Sequence, residues 1–123
     1  MGNPVVHFEV TVGDDAKARE FYGGLFGGKF QSMPEMGYSL VDTDSGGKGI
    51  AGGIGRGGDS QFPLVTFYVE VDDVQAALDR AVELGGSIVQ PPTVAPGVVT
   101  TAIFADAEGS RVGLVGATPP GGE

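Results

Sequence analysis

The chain contains an internal repeat. Shifting the sequence by 59 positions (67 minus 8) superimposes identical residues on a strand pattern, a helix cap and a helix pattern. The matched pairs are Phe8 and Phe67, Val10 and Val69, Val12 and Val71, Asp14 and Asp73, Ala18 and Ala77, Leu25 and Leu84, and Gly27 and Gly86. Because the matches stay in register across three kinds of local structure, we infer a duplicated structural unit. The chain must therefore fold as two similar modules.

The first strand of the first module has one apolar and one polar face. Residues 5–12 alternate in polarity, which is the pattern of a half-buried β-strand. Phe8, Val10 and Val12 fall on one face, and His7, Glu9 and Thr11 fall on the other. His7 is the only histidine of the chain. The polar face of this strand is therefore the first place to look for chemistry.

A helix is predicted to follow the strand. Asp14 is a suitable N-cap residue, and Gly27 and Gly28 end the helical pattern. Apolar residues recur at helical spacing at Ala18, Phe21, Tyr22 and Leu25. We expect these four side chains to form the face that packs on the sheet, against Phe8 and Val10.

The remaining patterns complete two βαβββ modules. In the first module the later strands are predicted at residues 29–33, 37–42 and 50–55. In the second module a strand at residues 65–71 precedes a helix at residues 74–84, and strands follow at residues 87–90, 98–104 and 111–115. We assign a single domain at residues 1–117, with modules at 4–55 and 64–116, a glycine-rich linker at 56–63 and a disordered tail at 118–123. The predicted class is α+β.

Composition excludes several functions. The chain is acidic, with 7 lysines and arginines against 16 aspartates and glutamates and a formal net charge of -9, so a nucleic-acid partner is not expected. There is no cysteine, which excludes disulfides, thiolate metal sites and cysteine nucleophiles. The sequence shows neither a secretory signal nor a membrane-spanning run, so we expect a cytoplasmic protein without a membrane partner.

The order of these motifs resembles the vicinal oxygen chelate superfamily, which includes the glyoxalase, bleomycin-resistance and dioxygenase families. In the first module the resemblance rests on His7, on residues 12–14 and on residues 21–27; in the second it rests on residues 68–74, 84–86 and 106–115. The resemblance implies two βαβββ modules that form a curved mixed sheet with a cavity. It also implies a homodimer.

In the metal-dependent members the resemblance implies four ligands, one on the first and one on the last strand of each module. His7 occupies the first of these positions, and Thr66 occupies the corresponding position in the second module. Gly113 and either Gly52 or Gly53 occupy the two positions on the last strands. Glycine offers no side-chain ligand and threonine is a poor one, so at most one of the four ligands is present.

Three interpretations of this polar face remain. The favoured one is a metal-free pocket for an aromatic or cationic small molecule, lined by His7, Glu9, Tyr38, Thr66, Tyr68, Glu70 and Arg111. The second is a relocated site in which His7, Glu9 and Glu70 bind a divalent metal ion, which is the only cofactor considered. The third is a structural histidine and no functional site.

Two functions follow from the first two interpretations. We favour a binding protein like those of the bleomycin-resistance branch, which sequesters a ligand, over an enzyme. The alternative is a metal-dependent lyase, isomerase or dioxygenase that uses His7 as a ligand.

Overall fold

Two aspartates begin the two helices, as the repeat predicts. In the computed structural model, which describes residues 2–33, 37–43, 47–56, 64–94 and 99–117, the Asp14 carboxylate accepts a hydrogen bond from Lys17 N at 3.1 Å. The Asp73 carboxylate accepts one from Ala76 N at 3.0 Å. Each carboxylate satisfies a backbone N–H that has no partner within its helix. The helices that follow these caps, α1 (Asp15–Phe26) and α2 (Val74–Glu83), therefore start at matching repeat positions.

The chain divides into two compact units. The N-terminal unit comprises Val6–Thr66, and the C-terminal unit comprises Phe67–Glu123 together with Met1–Val5. The elements in chain order are β1 (Val5–Val12), α1 (Asp15–Phe26), β2 (Lys29–Met33), β3 (Tyr38–Asp42), β4 (Gly52–Arg56), β5 (Leu64–Glu70), α2 (Val74–Glu83), β6 (Ser87–Val94), β7 (Val99–Ala105) and β8 (Arg111–Ala117). This order confirms the predicted α+β class and the two βαβββ modules. Arg56, which was assigned to the linker, is the last residue of β4; residues 57–63 and the predicted tail lie outside the described residues.

Strand pairing is the same in both units. In the N-terminal unit the order is β2-β3-β4-β1, and in the C-terminal unit it is β6-β7-β8-β5. The β1–β4 and β5–β8 pairs are parallel, whereas the other neighbours within each unit are antiparallel. The first and last strands of each module therefore lie side by side, which places residues of β4 beside His7 and Glu9.

The apolar face of β1 lies in the core as predicted. Ala18, Val41 and Ile54 form the buried cluster of the N-terminal unit, and Phe8, Val10, Val12, Tyr22 and Phe30 pack against it. The polar residues of β1 lie on the opposite face, because side chains alternate along a strand.

The prediction that Phe21 and Leu25 pack on the sheet is wrong. They are 62% and 61% exposed, and α1 contacts the core through Ala18 and Tyr22 instead. Phe21 lies next to these two residues on α1, and its ring is edge-on to that of Tyr22 at a centroid distance of 5.1 Å. Leu25 lies in the last turn of α1 and is not among the residues that pack against the buried cluster.

The prediction that a strand ends before Pro91 is also wrong, because β6 continues through Pro91 and Pro92 to Val94. Within the C-terminal unit β6 pairs with β7 alone, so its other edge needs no N–H donors. The pairing register also shifts between Gln90 and Thr93, which spans the two prolines. Proline is therefore tolerated here as an edge residue at an irregularity.

The two modules differ at one core pair. In the C-terminal unit Leu78 and Ala102 are both fully buried in the apolar cluster. In the N-terminal unit, Arg19 is the repeat equivalent of Leu78. Ser39 is the equivalent of Ala102, because each lies on the third strand of its module and pairs with the fourth strand in the same register. Arg19 Nη1 donates to the buried Ser39 hydroxyl at 3.2 Å and to Asp15 at 2.9 Å. The N-terminal unit thus has a hydrogen-bonded polar pair where the other has an apolar one.

Replacing Arg19 alone is expected to destabilise the protein. Arg19→Leu leaves the Ser39 hydroxyl buried without its donor, which costs about 1–3 kcal/mol. The double variant Arg19→Leu/Ser39→Ala removes both polar groups and should recover most of that loss. Urea denaturation of the four proteins in this cycle measures the coupling. Arg80→Leu, at an exposed arginine of α2, is the matched control and should change stability by less than about 0.5 kcal/mol. Additive single effects would contradict this interpretation.

Candidate functional site

Tyr38 connects the two polar residues of β1. His7 Nε2 lies 3.0 Å from the Tyr38 hydroxyl oxygen, and this hydroxyl donates to Glu9 Oε1 at 3.3 Å. His7 and Glu9 are two residues apart on one strand, so they share a face. Tyr38 reaches them from β3. All three side chains are partly buried.

The glycines of β4 make this contact possible. Strand β4 lies between β3 and β1, and Tyr38 must cross it to reach His7. A Cβ built on Gly53 would overlap the Tyr38 hydroxyl, and one built on Gly55 would come within 2.6 Å of the Tyr38 ring. Only residues without a side chain at these two positions leave room for the ring. Gly53 is also one of the two positions where the resemblance implies a metal-binding acid.

The number of hydrogens on the Tyr38 hydroxyl gives the direction of the hydrogen bonds between His7, Tyr38 and Glu9. The Tyr38 hydroxyl has one proton, which it donates to Glu9. Its oxygen can then only accept from His7, so Nε2 of His7 carries a proton. With Tyr38 as the donor to Glu9, the neutral form of His7 that completes this path is the Nε2–H tautomer.

Burial favours this neutral form. Desolvation lowers the pKa of His7 below the ordinary value of 6.5, because removal of water destabilises the imidazolium more than the neutral ring. His7 is therefore neutral at pH 7.

The C-terminal unit contains a second tyrosine–glycine pair. Tyr68 of β5 is opposite Gly113 of β8, and a Cβ on Gly113 would overlap the Tyr68 ring. Tyr68 is buried. Gly113 is the other last-strand position at which the resemblance implies an acid. In each unit, then, a tyrosine ring fills the space that an acidic ligand would need.

The structure brings some of the predicted site residues together. His7, Glu9 and Tyr38 form one hydrogen-bonded group in the N-terminal unit, and the predicted Thr66 is buried in the same unit. The other three predicted residues belong to the C-terminal unit. There Tyr68 packs on Gly113, Glu70 is exposed with its N–H bonded to Pro4 O, and Arg111 is exposed at the start of β8.

Sequence reasoning missed the packing of tyrosine on glycine. The available signal was the run of glycines at Gly52, Gly53 and Gly55 within a strand, since such glycines mark a close approach of another group. The group that approaches could not be identified without the register of β3 on β4.

The model of the Glyoxalase/Bleomycin resistance protein/Dioxygenase superfamily matches residues 5–114, most of the chain. The chain belongs to this superfamily. The resemblance seen in the sequence is thereby confirmed. The assignment of His7, Thr66, Gly52 or Gly53, and Gly113 to the ligand positions of the metal-dependent members stays a prediction.

Two curated mycobacterial proteins are similar to this superfamily member. Both are named "Putative glyoxylase CFP32", one from Mycobacterium bovis and one from Mycobacterium tuberculosis. Each is 28% identical over 106 residues, which cover 82% of this chain and 41% of the relative. The chain thus matches less than half the length of these relatives.

Solved structures share the fold. A structure from Legionella pneumophila described as an NAD-dependent benzaldehyde dehydrogenase has a TM-score of 0.66 and 19% identity, covering 91% of this chain and 98% of that chain. Methylmalonyl-CoA epimerase from Mycobacterium tuberculosis has a TM-score of 0.64 and 18% identity, with coverage of 94% and 89%. A superfamily member from Vibrio splendidus has a TM-score of 0.63 and 17% identity, with coverage of 94% and 99%. At these identities the likeness shows the fold alone.

The side chains at the superfamily's ligand positions do not fit a metal ion. A catalytic metal site needs about three protein ligands, and only His7 among the four positions has a suitable donor. Its Nε2 is within hydrogen-bond distance of the Tyr38 hydroxyl, at 3.0 Å. Among the described residues no group of three or more His, Asp or Glu side chains could hold an ion, so the relocated set of His7, Glu9 and Glu70 gains no support.

Within the described ranges no helix is long and apolar enough to cross a membrane.

The lowered pKa of His7 predicts how stability depends on pH. The unfolded chain takes up a proton at His7 near pH 6.5, whereas the folded chain does so only at lower pH. The stability that neutral His7 contributes is therefore complete above pH 6.5 and is lost as pH falls towards the folded value. His7→Gln keeps an N–H donor but does not titrate in this range.

Urea denaturation at pH 7.5 and pH 5.5 checks this dependence. The wild type should lose more stability than His7→Gln between these two pH values. The C2–H resonance of the single histidine should also titrate with a midpoint below that of a histidine peptide. A titration midpoint above the peptide value, or an equal loss of stability in the wild type and His7→Gln, would contradict the lowered pKa of His7.

Proposed function

We propose that this superfamily member binds a small aromatic or cationic molecule on the face of β1 that carries His7 and Glu9, without a metal ion. It acts by sequestering this ligand, as expected for a protein of the bleomycin-resistance type, rather than by turning it over. The homodimer and cytoplasmic location expected from the sequence remain predictions.

One observation carries the metal-free part of the proposal. At Gly113, and at Gly53 as one of the two alternatives in the first module, a tyrosine ring fills the space next to the backbone; at the other alternative, Gly52, the ring of Phe8 does so. A new carboxylate at Gly53 or Gly113 would collide with the tyrosine ring. At Gly53 and Gly113 an acidic side chain is therefore not merely absent, because the rings of Tyr38 and Tyr68 occupy the space that it would need.

The polar face supports the choice of ligand. Glu9 provides a carboxylate oxygen and Tyr38 provides an aromatic ring within one hydrogen-bonded group. A cation gains from the carboxylate and from the face of the ring, and a flat molecule can stack on it. The formal net charge of -9 also attracts cations at long range and repels anions.

Calorimetry with a defined probe tests the proposal. Chelator-treated protein should bind benzyltrimethylammonium, which has both a ring and a fixed positive charge. Glu9→Gln should weaken binding about tenfold, which corresponds to loss of about 1.4 kcal/mol of charge attraction. Glu20→Gln is the matched control, since it removes the same charge from an exposed position of α1. It should change the affinity by less than about twofold, because surface charges are screened.

Two outcomes would contradict the proposal. Absence of binding for both this cation and neutral aromatic compounds would contradict a binding function. Elemental analysis that finds one zinc, nickel, iron or manganese ion per chain, lost in His7→Ala, would support the metal-dependent alternative instead.

A further inference from the structure

A cavity of about 270 Å³ lies between α1 and the sheet of the N-terminal unit. We call it the α1 cavity. Phe8, Val10 and Ile54 line it on the sheet side, and Tyr22 and Phe26 line it on the helix side. It is on the opposite face of β1 from His7 and Glu9, because alternate side chains of a strand point to opposite faces.

The lining extends from the surface to the core. Phe26 and Thr43, which are exposed, belong to it, and so do the buried residues Val41 and Ile54. Phe26 is in the last turn of α1, and Gly27 follows with a left-handed φ of 77°. The helix thus ends above the cavity without closing onto the sheet, which leaves a route from solvent.

The size is sufficient for a small organic molecule. An apolar cavity of about 150 Å³ stays dry and binds benzene in another protein, so a space of 270 Å³ is large enough for a one- or two-ring compound.

The chemistry of the lining selects a neutral ligand. None of the residues lining this cavity carries a charge, so an ionised molecule would lose its hydration without gaining a partner. Four aromatic side chains line the cavity, namely Phe8, Tyr22, Phe26 and Phe30. Rings favour edge-to-face and offset contacts with other rings. The lining is therefore suited to a neutral aromatic compound.

The C-terminal unit provides an internal comparison. A larger space of about 650 Å³ lies along α2, but Asp72, Asp73, Arg80 and Asp106 are part of its lining. A neutral aromatic molecule gains little beside such hydrated charges. The two modules thus differ next to the helix: charged residues line the space along α2, whereas the α1 cavity has an uncharged lining.

From the volume, the uncharged aromatic lining and the open helix end, we infer that the α1 cavity is a second binding site, specific for neutral one- or two-ring aromatic molecules. The inference does not depend on the function proposed above, because it concerns the other face of β1. A ligand here would contact Phe8 and Val10, whereas a ligand at the polar face would contact His7 and Glu9.

NMR titration with indole tests the site. Indole should bind the intact protein at a 1:1 ratio with a dissociation constant of about 1 mM or tighter. Intermolecular NOEs should connect its ring protons to the methyl groups of Val10 and Ile54. Indole-3-carboxylate, which differs by an ionised group, should bind at least about tenfold more weakly, because the cavity offers that charge no partner.

A filling variant gives an independent measurement. Val10→Met extends a side chain into the cavity and should weaken indole binding by about fivefold or more, since it removes space from the ligand. Val69→Met is the matched control, because Val69 is the repeat partner of Val10 and packs in the other unit's core. It should change the affinity by less than about twofold.

Several results would overturn the inference. These are the absence of indole binding to the wild type, NOEs to the rings of His7 and Tyr38 instead of the two methyl groups, and equal affinity for indole and indole-3-carboxylate. The last two need no variant, so they decide the question even if Val10→Met fails to fold. Equal weakening by Val10→Met and Val69→Met would also count against the site.

Discussion

The candidate site depends on one contact, the packing of the Tyr38 ring across Gly53 and Gly55. The ring reaches His7 only because β4 has no side chain at these two positions. The contact settles three properties together: the hydrogen-bonded path from His7 to Glu9, the neutral tautomer of the histidine, and the loss of space for an acid at a ligand position of the superfamily.

Much of the fold follows from the sequence. The repeat, the aspartate caps and the alternation of β1 predict the two βαβββ modules, because each rests on local geometry that the backbone imposes. The positions of His7 and Glu9 on one face follow in the same way. The exposure of Phe21 and Leu25 could not be predicted, because it depends on which side of α1 faces the sheet, and in the structure Ala18 and Tyr22 are on that side. The continuation of β6 through Pro91 depends on its being paired on one side within its unit.

The site was less predictable than the fold. Tyr38 was included among the candidate residues, but its role in bridging His7 and Glu9 depends on the register of β3 against β4, which no local pattern encodes. The same is true of Tyr68 and Gly113. The sequence shows that acids are missing from the ligand positions; the structure adds that their space is filled.

The central claim is that His7 is held as a neutral Nε2–H donor by Tyr38 and is therefore unavailable to a metal through this nitrogen. A long-range proton–nitrogen correlation spectrum of the single histidine, recorded before and after one equivalent of Zn²⁺, tests it most directly. The account predicts the Nε2–H tautomer at pH 7.5 and no change on adding the ion. A spectrum of the Nδ1–H tautomer, or loss of the Nε2 proton with coordination of Zn²⁺ at Nε2, would contradict it.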